Sequence, residues 1–180
     1  GAKKPQSVGL VVWQGIYLAA IGGIIIAAIS CFSQPIFSVM GHSPEVQVEE
    51  ISYFNMLCWL SFPGIALSAL NAFWSGRRKT RMVMMIELLC VAINIILNAL
   101  LIFGFWIFPE MGIAGAGLAT GLANAVGLLL AMILFLSYSN RAMFGSWPKK
   151  TLDVPLLRRV IHYGLPGGMH LGLDILGFMA

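Results

Sequence analysis

Asp174 is the one acid in the apolar run LPGGMHLGLDILGFMA, residues 165–180, and His170 precedes it by one helical turn. Inside a bilayer a carboxylate costs about 2.5–3.5 kcal/mol on insertion scales, and such residues mark functional sites by default. An uncompensated charge is disfavoured there, so Asp174 is expected to take up a proton, a sodium ion or an organic cation. The alternative is a structural ion pair with a helix outside this stretch. His170 either packs and hydrogen-bonds or shares a proton with Asp174.

A second polar set lies in MVMMIELLCVAINIILNALLIFG, where Asn94 and Asn98 are four residues apart and Glu87 is seven before Asn94. Helical periodicity places the three on one stripe. They serve either as hydrogen-bonding contacts to a neighbouring helix or as a binding face, and Glu87 alternatively sits beside Arg81 at the edge of the span. In the next apolar segment, GIAGAGLATGLANAVG, Thr120 and Asn124 are again four apart, and Gly117 with Gly121 forms a GxxxG pattern that admits close backbone approach. Thr120 either packs or turns its hydroxyl to the asparagine stripe of the preceding antiparallel helix.

No HExxH, GxxxxGK[ST], DDxxD or nucleophile-elbow motif accompanies these residues. An enzyme reading would need an active site in segments beyond this sequence. Cys31, Cys58 and Cys90 lie far apart in apolar surroundings, which fits buried thiols better than a zinc site or a disulfide framework. No cofactor or metal is expected beyond a coupling ion, sodium or proton, with sodium at Asp174 as one possibility.

The elements that must position these side chains follow from composition. Of 180 residues 59% are hydrophobic and only 10% charged, against about 25% charged in a soluble domain, and the mean hydropathy is +0.88. The expected class is all-α, a polytopic helical membrane protein. Both ends look cut, so the chain reads as an internal fragment. Five segments approach the roughly 20 residues that span a bilayer: Leu10 to Pro35, Ile51 to Trp74, Met82 to Phe108, Gly112 to Tyr138, and a fifth that starts near Leu156 and runs to the end. GHSPEV, SGRRKT and FPEMG are turn-like connections, and SNRAMFGSWPKKTLDVP is one longer link. In DVPLLRRVIHYGLP, Asp153 can cap a helix lying at headgroup level, and Pro166 among Gly164, Gly167 and Gly168 is expected to kink or loosen its entry into the membrane.

Charge placement supports the five-span reading. With alternating spans, all 11 Lys and Arg fall on or beside the side that holds the N-terminal tail, the SGRRKTR loop and the link, while the other side has Glu45, Glu49, Glu50 and Glu110. Cytoplasmic loops carry the basic excess, so the link is expected in the cytoplasm. The net charge of +4 is then a topology signal, and no nucleic-acid partner is expected.

These strings resemble the multidrug and toxic compound extrusion (MATE) family, most closely its NorM-like bacterial branch. YFNMLCWLSFPGIALSALNAFWSGRRKT is similar to the family's fourth helix, NIILNALLIFG to its fifth, PEMGIAGAGLAT to the start of its sixth and YGLPGGMHLGLD to its seventh, with Gln14-Gly15 near the start of the third. The resemblance implies a twelve-helix, monomeric transporter in the plasma (inner) membrane, with two lobes that open alternately. On that reading residues 1–138 hold helices three to six of the N-lobe, 139–156 the interlobe link, and 157–180 the start of the C-lobe.

The resemblance further implies ion-coupled antiport of organic, cationic drugs or toxic compounds, with Asp174 as the cation-binding acid of the C-lobe and Asn94, Asn98 and Thr120 around an N-lobe cation site. Two features depart from the family pattern: Asp stands at 174 where the family usually has Glu, and His170 replaces an apolar residue. A lipid-linked oligosaccharide flippase of the same superfamily is the alternative, although none of the basic residues lies mid-span.

Overall fold

The computed structural model describes residues 7–104, 107–147 and 153–179, with side chains of the last helix described through Met169. Those residues form eight α-helices: α1 (Val8–Ile29), α2 (Ser33–Ser38), α3 (Pro44–Trp59), α4 (Ser61–Gly76), α5 (Thr80–Phe103), α6 (Gly112–Phe135), α7 (Tyr138–Phe144) and α8 (Val154–Met179). A 3₁₀ turn, Ser30–Phe32, joins α1 to α2, so helical structure continues from Val8 to Ser38. No strand occurs among the described residues.

Three of these elements are long and apolar enough to cross a membrane, Val8–Ser38, α5 and α6, and α3 with α4 makes a fourth if the bent pair is one span. The chain is an all-α, multi-span membrane protein. Its outward faces carry Ile24, Val39, Ile95, Ile96, Leu129 and Ile133, each largely exposed, and a hydrocarbon solvent is what makes such a surface stable. The expected fifth span, from near Leu156 onward, falls on α8, whose side chains are described only through Met169.

Several boundaries differ from those that hydropathy gives. The second span does not begin at Ile51: α3 starts seven residues earlier, where Ser43 is extended, Pro44 takes the first helical position and Glu45 sits in the first turn. Those are helix-start signals independent of hydrophobicity. The same span bends by 47° at Leu60, because Pro63 has no N–H for the carbonyl of Trp59. Ser61 compensates in part by donating its hydroxyl to the Cys58 carbonyl at 2.8 Å.

The third span stops at Phe103 rather than Phe108. Gly104 takes a left-handed conformation at φ 66° and ends α5, and a Cβ there would lie 2.7 Å from the Glu110 backbone nitrogen. The fourth stops at Phe135 rather than Tyr138. α8 continues as a helix through Pro166, which lies inside it where a kink or loosening is expected. Its start was legible, since the Leu156 N–H donates to the Asp153 carboxylate at 3.0 Å.

α5 packs along α6, α1 along α4, and both α3 and α4 against α6. Small residues on α6 permit this: a Cβ on Gly115 would lie 2.8 Å from the Leu101 carbonyl oxygen of α5, and one on Gly117 would lie 2.8 Å from Met56 Cβ of α3. The core gathers at the α4–α5 turn end, where the Phe73 ring meets Phe135 and Phe144 edge-on at centroid distances of 5.1 and 5.7 Å.

The link between α6 and α8 is not a simple solvated loop. It contains α7, and Asn140 and Ser146 are buried. The Trp13 indole N–H donates to the Ser146 carbonyl at 3.0 Å, and Arg77 donates to Asn140 Oδ1 at 3.0 Å. The start of α1, the α4–α5 turn and the first part of the link therefore meet at one end of the molecule, as charge placement predicts. At the other end His42 contacts the Glu50 carboxylate at 2.9 Å.

Candidate functional site

Within the α5–α6 pair the asparagine stripe and Thr120 face each other. Asn98 donates from Nδ2 to Asn94 Oδ1 at 3.0 Å, Asn94 donates from Nδ2 to Thr120 Oγ1 at 3.1 Å, and Thr120 donates its hydroxyl to the Ala116 carbonyl at 3.0 Å. The chain of donors runs one way. It leaves Asn98 Oδ1 at its head buried, with no hydrogen-bond partner among the described residues. A buried amide oxygen without a donor costs free energy unless a cation or a donor group reaches it.

Below this chain a cleft of about 200 Å³ opens between α5 and α6, lined by Glu87, Cys90 and Asn94 on one side and Thr120, Ala123 and Asn124 on the other. A rise of 1.5 Å per residue puts Glu87 about 10 Å along α5 from Thr80, Asn94 about 21 Å and Asn98 about 27 Å. The polar groups thus extend from one edge of the apolar layer past its middle. Glu87 does not pair with Arg81: it accepts a hydrogen bond from Asn71 Nδ2 of α4 at 2.6 Å. Asn71 Oδ1 is itself buried and unpartnered among the described residues.

A carboxylate, a hydroxyl and amide oxygens form a hard-donor set, suited to a proton, a sodium ion or the polar head of an organic cation. No group of three or more His, Cys, Asp or Glu able to hold a metal occurs among the described residues.

Of the six residues singled out from the sequence, Asn94, Asn98 and Thr120 are joined directly and Glu87 lines the same cleft. Asp174 and His170 fall on the backbone of α8, with side chains outside the described residues. Asn71 was missed. Its signal was available, since it is an amide within the apolar run SALNAFW, but its relation to Glu87 crosses from α4 to α5 and no single-helix periodicity reports it. Asn124, noted for its spacing from Thr120, proves to line the cleft and to pack on α4, where a Cβ on Gly64 would lie 3.2 Å from its amide nitrogen.

A family model described as MatE matches residues 1–100. The chain belongs to the MatE family. Relatives named "Probable multidrug resistance protein NorM" match this MatE chain along nearly all of it. That of Listeria monocytogenes is 33% identical over 174 residues, covering 94% of this chain and 38% of the relative. That of Rhizobium meliloti is 30% identical over 174 residues, 92% of this chain and 36% of the relative. The Shewanella oneidensis protein is 26% identical over 179 residues, 97% and 38%. The MatE chain therefore spans well under half the length of these relatives.

Proposed function

We propose that the chain is part of a plasma-membrane multidrug efflux transporter, one that exports organic, cationic compounds in exchange for a coupling ion, sodium or proton. The observation that carries this reading is the directed chain Asn98–Asn94–Thr120 with its unpartnered acceptor, set beside a carboxylate-bearing cleft inside apolar helices. Membership of the MatE family and the names of its relatives support it independently.

The mechanism follows from linkage. A coupling ion and a cationic drug that draw on the same oxygens compete, or they favour different conformations, and a ligand shifts such an equilibrium only by its differential affinity. Glu87 and the amide cluster supply one set of oxygens at membrane depth. Asp174, on α8, supplies a second carboxylate. Each becomes neutral on taking a proton or a cation, which removes the cost of an exposed charge as the cavity reopens on the other side.

The test uses the full-length protein in proteoliposomes loaded with a cationic dye, under an imposed sodium or proton gradient. Dye export should follow one of the two gradients, and Asp174→Asn should abolish it with protein abundance near normal. Asp174→Glu should retain activity. Unchanged export by the Asn variant would show that Asp174 does not couple ion to substrate.

A further inference from the structure

A larger cleft lies away from the polar cluster, at the end where α1, the α4–α5 turn and the link meet. It holds about 490 Å³, within the range of small-molecule sites. Val8, Val11 and Val12 of α1 line one wall and Ala69, Ala72 and Phe73 of α4 another, with Phe144 of α7 and Val160 of α8 completing the lining. Almost everything that faces the cleft is apolar, with one exception: Arg77 stands at its end.

Arg77 is packed among aromatic rings. Its guanidinium carbon lies 4.1 Å from the Phe144 ring centroid, 5.0 Å from that of Phe73 and 5.6 Å from that of Trp74. One nitrogen donates to Asn140, and no carboxylate pairs with the group among the described residues. A guanidinium has five N–H donors in a planar fork suited to phosphate, so most of its hydrogen-bonding capacity is uncommitted. Burial also pushes its pKa below the ordinary arginine value, the mark of a charge partly removed from water with no counter-charge beside it.

The surroundings specify what would supply that counter-charge. Arg78, Lys79 and Arg81 lie in or beside the same α4–α5 turn, and in the link region that meets it the Arg141 guanidinium stacks on Trp147 at 4.4 Å while Trp13 bonds to Ser146. Basic residues and tryptophans concentrate at the membrane–water interface, and basic pockets between spanning helices on the cytoplasmic side bind anionic headgroups.

We propose that the α1–α4 cleft binds one anionic glycerophospholipid, with an acyl chain along the valine and alanine walls and the phosphate on Arg77. The site lies outside the cleft assigned to transport. It would tie the start of α1, the α4–α5 turn and the link to the headgroup layer of one leaflet.

The experiment takes the full-length protein in detergent and counts retained lipid by native mass spectrometry, offering phosphatidylglycerol and phosphatidylcholine with the same acyl chains. Wild type should retain phosphatidylglycerol with about a tenfold preference, the fold-change of one charge-assisted contact. Arg77→Gln should bring the two lipids to parity. Because Arg77 also holds α7, that variant is paired with Ala72→Phe, which fills the groove from an exposed position and leaves Arg77 in place. It should reduce retention of both lipids. Three results would each overturn the proposal: equal retention of the two lipids by wild type, undiminished retention by Ala72→Phe, or displacement of phosphatidylglycerol by glycerol 3-phosphate alone. Absence of any retained lipid, as when a helix from elsewhere in the longer protein fills the groove, also overturns it.

Discussion

Asn94 has two jobs in the α5–α6 pair, accepting from Asn98 and donating to Thr120, and the two ends of that chain give different predictions. Thr120→Val removes an acceptor while keeping shape. It leaves the Asn94 amide unpaired, and interhelical hydrogen bonds of this kind contribute about 0.6 kcal/mol on average, up to about 1.7. Thermal unfolding of the full-length protein in detergent should therefore shift only slightly. Asn98→Leu instead deletes the unpartnered oxygen, together with the Nδ2 that donates to Asn94 Oδ1. It should lower gradient-driven dye export per folded molecule by at least about tenfold, with little loss of folded protein. If export per folded molecule is unchanged while stability falls, the asparagines are packing contacts and the N-lobe site is wrong. Much of this cluster was legible, because Asn94, Asn98 and Thr120 lie on two neighbouring helices whose periodicity brings them together. The Asn71–Glu87 bond was not, because the 47° bend that sets the direction of α4 depends on a proline whose effect on three-dimensional direction no hydropathy window contains.

The helices themselves show where local chemistry overrides hydropathy. Apolar length located the first four segments but misplaced their ends: α3 begins in the polar stretch PEVQVEE because Ser43 and Pro44 start it, and α5 ends early because Gly104 turns left-handed. The link was read as a connection because it is polar, yet it folds back as α7 through contacts with Trp13 and Arg77, which are distant in sequence. Helix pairing adds a prediction at this scale. Gly115→Ala would press a methyl against the Leu101 backbone, which lacks the freedom of a side-chain tip, whereas nothing lies within 4 Å of a Cβ on Gly22. Overpacking costs about 1–3 kcal/mol, so Gly115→Ala should lower the unfolding temperature by several degrees and Gly22→Ala should not. Equal temperatures for the two variants would mean that α5 and α6 are not in the close contact described.

Across the whole molecule the basic residues and the aromatic cluster share one end, and the His42–Glu50 pair marks the other. Cytoplasmic loops of membrane proteins carry the excess of Lys and Arg, and among the described residues Arg77, Arg78, Lys79 and Arg81 lie in or beside the α4–α5 turn and Arg141 on α7, at the end that holds the link. The orientation expected from that rule, and to be tested, has the link inside and the α2–α3 turn outside. Accessibility labelling of the full-length protein tests it, provided that the probe positions are exposed. Ser146 is unsuitable, being fully buried beneath Trp13, whereas Ser43 and Ser139 are both exposed. With the native cysteines, including Cys31, Cys58 and Cys90, replaced, Ser43→Cys should react with an impermeant maleimide added to intact cells. Ser139→Cys should react only after the membrane is opened. Reaction of both from outside would place the two turns on the same side, which an odd number of spans between them forbids: α3 with α4, then α5, then α6 make three crossings if the bent pair is one span. Were the bent pair instead re-entrant, the count would fall to two and both cysteines would label from the same side. The same pair of variants therefore decides whether α3 and α4 cross the bilayer, and with it whether Asn71 approaches Glu87 from a spanning helix or from a loop that dips into the membrane and returns.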